Sequence, residues 1–340
     1  MPATTAGQAT IKQCNQLGLD FRAEATALPY AGPIWDVHTH LFTANAAKVF
    51  FEAADVFGIE RVWSMTQLER VDEVQAVGGD RVRFIAVPNH EARDQPGTFT
   101  TDWLKRIDGF AEKGVKICKF FAAPRIIDYH PGGWLNSKHR QKAMRLARSH
   151  GMMFMTHVGD PDLWFQHRYT DAAHYGTKAD HYLAFEQMLD QFDDVTWLAA
   201  HMGGWPENLT FLDTLLQRHP NLYLDTSATK WMTRELSKHP TEFADFAHRH
   251  AGRLVFGSDN VATDENADFD LFASRYWALR TVMETDYTGP SPIVDADLQM
   301  ADPALPNNAT ASLHGAALDV ATLQSLYHDA AEALLSPLYR

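Results

Sequence analysis

Cysteine is scarce in this 340-residue chain, which contains only Cys14 and Cys118, far apart in the sequence. Two distant cysteines do not form a disulfide framework, so we expect a reducing compartment. Long apolar runs are missing as well. Residues 1–18 contain no run of the signal-peptide type, and no segment approaches the roughly 18 apolar residues of a membrane span. These absences predict a soluble, cytoplasmic protein.

Positive charge is in deficit, because 30 Lys and Arg residues face 43 Asp and Glu residues, for a formal net charge of −13. Nucleic acids and anionic membranes are bound by basic surfaces, so neither is an expected partner. A local cationic pocket for an acidic small molecule remains compatible with this balance. With 45% apolar residues, the chain is long enough for one large domain or for two smaller ones.

From Pro33 onward, short apolar runs alternate with longer amphipathic stretches, which is typical of repeated βα units. Several of the short runs are almost continuously apolar, as expected for parallel strands that are buried on both faces. The strand candidates are 33–38, 61–65, 83–87, 114–120, 152–157, 196–201, 221–225 and 253–259. Eight such units predict an α/β fold with a closed (β/α)₈ TIM barrel, and an open doubly wound sheet is the alternative.

The ends of the chain depart from this rhythm. We interpret residues 1–340 as a single domain that has an N-terminal extension before residue 33 and a barrel at about 33–285. A Pro-, Asp- and Asn-rich stretch at 288–312 predicts an irregular connection. Apolar residues at helical spacing then predict a C-terminal helix over 315–336 that packs on the barrel, with Leu323, Leu326 and Tyr327 on its apolar face.

The segment Ile34-Trp35-Asp36-Val37-His38-Thr39-His40 carries polar side chains at every second position. On a β-strand, Asp36, His38 and His40 therefore point to one face. Two imidazoles at this spacing are able to bind one ion about 2 Å from each nitrogen. Because buried polar groups without partners are costly, a metal would explain this set. The His-x-His pair alone is a weak signal.

Three further strand candidates end in a residue that can bind a metal, namely His157, His201 and Asp259. In a barrel, the C-terminal ends of the strands form the active-site face, so these residues should meet His38 and His40 at one mouth. A single histidine at the end of a strand is more often a hydrogen-bonded structural residue. The joint pattern of imidazoles and a carboxylate favours Zn²⁺ or a similar divalent ion with one position open to water.

The order Asp-x-His-x-His followed by His157, His201 and Asp259 resembles the amidohydrolase superfamily. The flanking segments are similar to its amidohydrolase-related branch, which includes aminocarboxymuconate-semialdehyde decarboxylase and similar enzymes. The supporting segments are 34–40, 114–119, 155–160, 199–204, 221–227 and 255–260. The final helix also resembles that branch, but Ala330 stands where an Asn is common, a difference that concerns packing more than chemistry.

The resemblance implies a role for each candidate residue. His38, His40, His157 and Asp259 would bind one divalent metal, most simply Zn²⁺, with Mn²⁺ as the alternative. His201 would be a catalytic residue that faces the metal-activated water or the substrate and orients it or transfers a proton. Asp259 would also act as the catalytic proton shuttle, first taking a proton from the water and then delivering it to the leaving group.

Strand four adds cationic candidates. Some branches of the superfamily hold two metals bridged by a carbamylated lysine there, where this chain has Lys116 and Lys119. We expect one metal, because the branch resembled is mononuclear. The same segment resembles the pyrone-dicarboxylate lactonase arm of the family, which implies that Lys119 and Arg125 bind substrate carboxylates, although salt bridges would explain both residues equally well. Trp164, in the long loop after His157, is a candidate for stacking on a planar substrate, with loop packing as the alternative.

The expected function is that of a metal-dependent hydrolase acting on an amide, lactone or ester of a small, carboxylated or aromatic substrate. The alternative with the same ligands is a non-oxidative decarboxylase of an aromatic or unsaturated carboxylic acid. A TatD-like nuclease is opposed by the acidic balance and by the lack of a Gly-Glu-x-Gly-Leu-Asp segment near strand four. A purely structural metal site would need four protein ligands, often cysteines. A homodimer is the commonest assembly for such enzymes.

Overall fold

The structure is a computed structural model that describes residues 12–130 and 132–339. The first eleven residues of the predicted N-terminal extension lie outside the described residues. Nine strands form one sheet in which neighbouring strands run parallel. They are β1 (Ile34–Leu41), β2 (Ile59–Ser64), β3 (Val82–Ala86), β4 (Ile117–Phe121), β5 (Met153–His157), β6 (Trp197–Ala199), β7 (Leu222–Asp225), β8 (Leu254–Val255) and β9 (Asn260–Ala262).

The sheet closes on itself through the last two strands. β8 pairs with β7, and β9, which follows only five residues later, pairs with β1. Between these two strands, the N–H of Val37 donates to the carbonyl of Phe256 (2.9 Å) and the N–H of Asp259 donates to the carbonyl of His38 (2.8 Å). The predicted (β/α)₈ barrel is confirmed and the open sheet is excluded. The predicted strand 253–259 is interrupted, because Asp259 adopts a left-handed conformation (φ 57°).

Helices surround the barrel and cover its outer face. The main ones along the barrel are α1 (Phe21–Ala27), α2 (Ala44–Val56), α3 (Val71–Gly78), α4 (Thr101–Glu112), α5 (Lys138–Ser149), α6 (Asp162–His167), α7 (Ala172–Tyr175), α8 (Lys178–Gln191), α9 (Leu209–Arg218), α10 (Thr229–Leu236), α11 (Pro240–Arg249) and α12 (Phe269–Glu284). In α2, the Thr43 hydroxyl accepts a hydrogen bond from the N–H of Ala46 and caps the helix. Its apolar residues then recur at helical spacing and are buried against the barrel.

The segment after α12 is not irregular, so the prediction for 288–312 is wrong. It contains β10 (Thr288–Val294), α13 (Ala296–Ala301) and β11 (Thr310–His314), and β10 pairs antiparallel with β11. The prolines of β10 are tolerated because this is a separate two-stranded sheet without a central strand. Asp295 caps α13 by accepting a hydrogen bond from the N–H of Asp297 at 3.1 Å.

The C-terminal helical region begins at Val320 rather than at 315. It consists of α14 (Val320–Gln324), one π-helical turn (Ser325–Asp329) and α15 (Ala330–Leu335). Asp319 caps it by accepting a hydrogen bond from the N–H of Thr322 at 2.9 Å. The carbonyl of Leu326 accepts from the N–H of Phe256 at 3.0 Å, so this region packs directly on the segment that closes the barrel.

The buried apolar residues form one core cluster that joins the barrel interior to the inner faces of the helices. Cys14 and Cys118 are both free thiols and both buried. Among the helices of the described residues, none is both long and apolar enough to pass through a membrane.

Candidate metal centre and active site

A cavity of about 390 Å³ opens at the carboxyl ends of the barrel strands. Seven of the residues singled out in the sequence line this one cavity, although more than 200 positions separate the first from the last. They are His38, His40, Lys119, Arg125, His157, His201 and Asp259.

The tightest group in the cavity joins β1 to the barrel-closing segment. The Oδ1 atom of Asp259 lies 3.1 Å from His40 Nε2 and 3.5 Å from His38 Nε2. Ligand atoms that share one tetrahedral Zn²⁺ at about 2.0–2.1 Å stand roughly 3.4 Å apart. The spacing and the donor types of His38, His40 and Asp259 therefore fit a divalent transition metal.

The orientation of His38 is set by Asp225 at the end of β7. The His38 Nδ1 atom lies 2.8 Å from Asp225 Oδ2, and both side chains are almost completely buried. Burial acts to raise the pKa of the Asp225 carboxyl, but His38, His201 and Lys119 hold it below its ordinary value. An ionised carboxylate accepts only, so His38 Nδ1 carries the proton and the lone pair of Nε2 faces the cavity.

Asp36 contacts the backbone of His38 rather than its ring. Its Oδ2 accepts hydrogen bonds from the hydroxyls of Ser258 (2.6 Å) and Tyr276 (2.9 Å). Its Oδ1 accepts from the backbone N–H of His38 at 3.2 Å. Asp36 thus fastens β1 to the barrel-closing segment. The partner that was missed is Asp225, which carries the same signal as Asp259, a carboxylate at the end of a strand.

His157 and His201 form a second pair in the cavity, with His157 Nδ1 3.1 Å from His201 Nε2. The other nitrogen of His157, Nε2, lies 2.9 Å from Asp160 Oδ1. The other nitrogen of His201, Nδ1, lies 2.7 Å from the hydroxyl of Ser227, which itself donates to Asp225.

For neutral rings, these contacts assign the position of each proton. Asp160 accepts from His157 Nε2–H, and Ser227 Oγ, having donated its only proton, accepts from His201 Nδ1–H. Two lone pairs, on His157 Nδ1 and His201 Nε2, therefore face each other at 3.1 Å. A proton between the two nitrogens, or a metal ion bound to one of them, removes this repulsion. Among the described residues, neither three-residue group of metal-binding geometry includes His157, whereas His201 groups with His38 and Asp225.

Lys119 reaches the floor of the cavity from β4. Its side chain is almost completely buried, and its Nζ lies 3.1 Å from His38 Nε2. Burial lowers the pKa of Lys119 to about 8, with Asp225 and Asp259 opposing the shift. Lys116 precedes β4 and does not line the cavity. Of the two lysines that the sequence offers near the metal ligands, Lys119 is the one in place.

Left-handed backbone conformations concentrate at this site. His201 (φ 59°), Ala228 (φ 71°) and Asp259 (φ 57°) all follow barrel strands. A non-glycine residue in this conformation costs about 1–3 kcal/mol. Hydrogen bonds oppose that cost, including one from the N–H of His201 to Asp225 Oδ1 at 2.8 Å. The sequence carries no local signal for these conformations.

The outer wall of the cavity is aromatic and cationic. The Arg125 guanidinium lies 5.2 Å from the ring centre of Phe121, and that of Arg93 lies 5.0 Å from Tyr129. Within residues 12–130 and 132–339, Asp259 is the one carboxylate that lines the cavity. Sequence reasoning missed Arg93, because it lies in a loop whose position no pattern predicts. The wall suits a planar ligand that carries negative charge.

Trp164 lies outside the cavity lining. It belongs to α6, and the Arg168 guanidinium stacks 4.0 Å from its ring centre. In this conformation its ring is not positioned to stack on a ligand in the cavity, and the alternative, loop packing, describes its surroundings.

A family model described as "Amidohydrolase" matches residues 35–336. No curated protein sequence matches the chain. Solved structures similar to it include 5-carboxyvanillate decarboxylase from Novosphingobium aromaticivorans DSM 12444, complexed with manganese and 4-hydroxy-3-methoxy-5-nitrobenzoic acid. That chain is 12% identical over 90% of this chain and 97% of its own, with a TM-score of 0.47. IDCase from Metarhizium anisopliae in apo form is 14% identical over 93% and 99%, with a TM-score of 0.46. Uronate isomerase from Thermotoga maritima is 12% identical over 85% and 69%, with a TM-score of 0.43.

Proposed function

The chain belongs to the amidohydrolase family, and from that premise we propose that it is a metal-dependent, non-oxidative decarboxylase of a small aromatic or unsaturated carboxylic acid. The proposed ligands of one divalent metal are His38, His40, His157 and Asp259, with Zn²⁺ and Mn²⁺ as the candidate ions. A metal bound there would supply positive charge that holds and polarises oxygen atoms of the substrate. The His38–His40–Asp259 group and the unprotonated nitrogens that face the cavity support this proposal.

The position of Lys119 in the cavity favours decarboxylation over hydrolysis. In base-assisted hydrolysis, one carboxylate takes a proton from water and passes it to the leaving group. Both proton transfers are then made by the carboxylate, and a buried ammonium is not needed. In decarboxylation, the carbon–carbon bond breaks to release carbon dioxide, and its electron pair stays on the carbon, which must gain a proton. Lys119 lies at the cavity floor beside His38 and can give that proton, which solvent then replaces.

The cavity wall supports the same substrate class. Arg93 and Arg125 offer guanidinium groups to a carboxylate or phenolate, and Phe121 and Tyr129 offer faces to a ring. Desolvation of the carboxylate against these ring faces would favour its conversion into neutral carbon dioxide.

Hydrolysis of a lactone, ester or amide is the second candidate, and Asp259 favours it. This carboxylate is partly exposed to the cavity beside His40, where it could accept a proton from water. Burial acts to raise the pKa of Asp259, but the hydrogen bond from His40 and the nearby imidazoles hold it well below its ordinary value. This candidate is second because it gives Lys119, which lies beside His38, no proton to transfer.

The test uses purified protein reconstituted separately with Mn²⁺ and Zn²⁺. Hydroxylated aromatic acids, unsaturated acids, and lactones, esters and amides of similar size are supplied as substrates. Decarboxylation predicts carbon dioxide release equal to acid consumed. Hydrolysis predicts acid formation from a lactone or ester, or amide cleavage, without carbon dioxide. The matched control replaces His38 and His40 by Ala, which should abolish either reaction. Turnover of no compound in the panel would contradict both candidates.

A further inference from the structure

Asp160 and Tyr169 lie beside His157 without a role in the chemistry above. Both are buried, and they belong to the segment that follows β5. Asp160 Oδ1 accepts from His157 Nε2–H at 2.9 Å, and Asp160 Oδ2 accepts from the Tyr169 hydroxyl at 2.7 Å. We propose that Asp160 and Tyr169 are a positioning pair that presents His157 Nδ1 to the metal and sets how tightly the ion is retained. The inference rests on the proposed function, because it takes His157 as a metal ligand.

The first step concerns the tautomer of His157. A metal ligand must present a lone pair, and a neutral imidazole has one on only one of its two nitrogens. Because the Asp160 carboxylate only accepts, it keeps the proton on Nε2. The free lone pair of His157 is then on Nδ1, which faces His201 Nε2 at 3.1 Å inside the cavity.

The second step concerns Asp160 itself. Its side chain is 2% exposed, so an oxygen without a partner would be costly. The Tyr169 hydroxyl satisfies Oδ2 and stops the carboxylate from rotating away from His157. Tyr169 therefore acts on the metal through two other side chains, at a position that no metal-binding pattern in the sequence would reveal.

The third step connects this pair to the loop. The N–H of Tyr169 donates to the carbonyl of Trp164 at 2.8 Å, at the base of α6. The start of α6 is fastened in turn, because the N–H of Asp162 donates to Glu207 at 2.8 Å and the Lys178 ammonium donates to Asp162 at 2.7 Å. These hydrogen bonds hold Tyr169 in place, and Tyr169 and Asp160 in turn set the orientation of the His157 ring.

The experiment measures the affinity of Mn²⁺ and of Zn²⁺ for the full chain by competition with a chelator. The variants are Tyr169→Phe and Asp160→Asn, which remove one hydroxyl and one charge at nearly constant volume. The control is Tyr175→Phe, since the Tyr175 ring packs 5.1 Å from that of Tyr169 while the hydroxyl that Asp160 Oδ2 accepts from belongs to Tyr169. The melting temperature of each protein is recorded with and without metal.

We expect Asp160→Asn to weaken metal binding about 10–100-fold, as loss of a partner to a ligating histidine typically does. Tyr169→Phe should weaken it by a smaller factor, and Tyr175→Phe should bind like wild type. The rise in melting temperature on adding metal should shrink in the same order. A merely structural role would instead lower the melting temperature of the metal-free protein and leave the affinity unchanged.

The outcomes separate this inference from the proposed function. If wild type binds metal and both variants bind it equally tightly, the positioning role is wrong and the proposed function stands. If wild type binds no metal, both are wrong. If Asp160→Asn does not fold without metal, Tyr169→Phe alone decides, because it deletes a single hydroxyl and leaves the charge in place.

Discussion

His38 is the side chain that links the two halves of the site. Its Nδ1 contacts Asp225, and its Nε2 lies close to both Lys119 and Asp259. Burial and the nearby Lys119 ammonium lower the pKa of His38 below its ordinary value. The ring is therefore neutral at physiological pH and presents a lone pair to the cavity.

Asp225→Asn tests whether this orientation matters. The amide can turn its NH₂ group toward His38 Nδ1 and reverse the tautomer, so metal affinity should fall about 10–100-fold. Chelator competition measures the change. Asp213→Asn is the control, because Asp213 contacts His250, which does not line the cavity. Equal affinities for both variants and wild type would show that Asp225 does not orient a metal ligand.

Lys119→Met tests the proton donor. The substitution keeps an apolar chain of similar length, so metal content should persist while carbon dioxide release falls by about 10²-fold or more. Elemental analysis and a carbon dioxide assay measure the two quantities on one preparation. Unchanged turnover would remove Lys119 from the reaction.

Single residues also show where prediction from sequence stops. His157, His201 and Asp259 were found because each ends an apolar run, and His38 and His40 because polar residues alternate along their strand. Both are local patterns. The position of Arg93 in the cavity wall depends on loop folding, and the pairing of His38 with Asp225 joins residues 187 positions apart. No local signal encodes either.

At the level of elements, the βα rhythm predicted all eight strand regions, because strand and helix periods are visible within short windows. The hairpin of β10 and β11 was missed, since its pairing joins Thr288 to His314 across a proline-rich stretch. The break between β8 and β9 was missed because it depends on a left-handed Asp259 held by the barrel around it.

The loops after β5 and β6 meet at a close backbone approach. A side chain at Gly204 (φ 81°) would collide with the backbone of Gly159. Gly204→Ala should therefore lower the free energy of unfolding by at least about 1 kcal/mol more than Gly58→Ala does, because overpacking adds to the cost of positive φ. Gly58 (φ 70°) is the matched control, since it has open space around it.

Urea denaturation of the two glycine variants measures this difference. Equal losses of unfolding free energy in the two variants would mean that the loops can move apart at little cost. These loops would then not hold His157 and His201 in fixed relative positions.

At the scale of the whole molecule, the β10–β11 unit is attached through buried charge. Arg234 pairs with Asp295, which precedes α13, and with Glu235 at 2.8 Å. Asp297 lies 3.6 Å away. The Arg234 guanidinium stabilises the fold, because the carboxylates that it pairs with belong to the protein and not to a ligand.

Arg234→Met should lower the free energy of unfolding by about 3–5 kcal/mol, because it leaves buried carboxylates without their partner. Arg218→Met is the control, since Arg218 pairs with Glu186 at the surface and should cost about 1 kcal/mol or less. Chemical denaturation of both variants measures the difference. A loss for Arg234→Met no larger than the control would show that the buried pairs do not stabilise the attachment.

The whole chain is acidic, with a net charge of −13, whereas Lys119, Arg93 and Arg125 make its cavity wall cationic. Net charge therefore predicts which large partners are disfavoured but not the sign of the charge in the active-site cavity. The homodimer expected from the sequence stays a prediction.

The central claim is that a divalent ion sits between the two imidazoles of β1 and the carboxylate of the barrel-closing segment. Anomalous X-ray diffraction from crystals grown with Mn²⁺ tests it most directly. The account predicts one strong peak about 2.0–2.3 Å from His38 Nε2, His40 Nε2 and an oxygen of Asp259. A fully soaked crystal with no peak in the mouth, or with a peak that none of these three residues contacts, would contradict it.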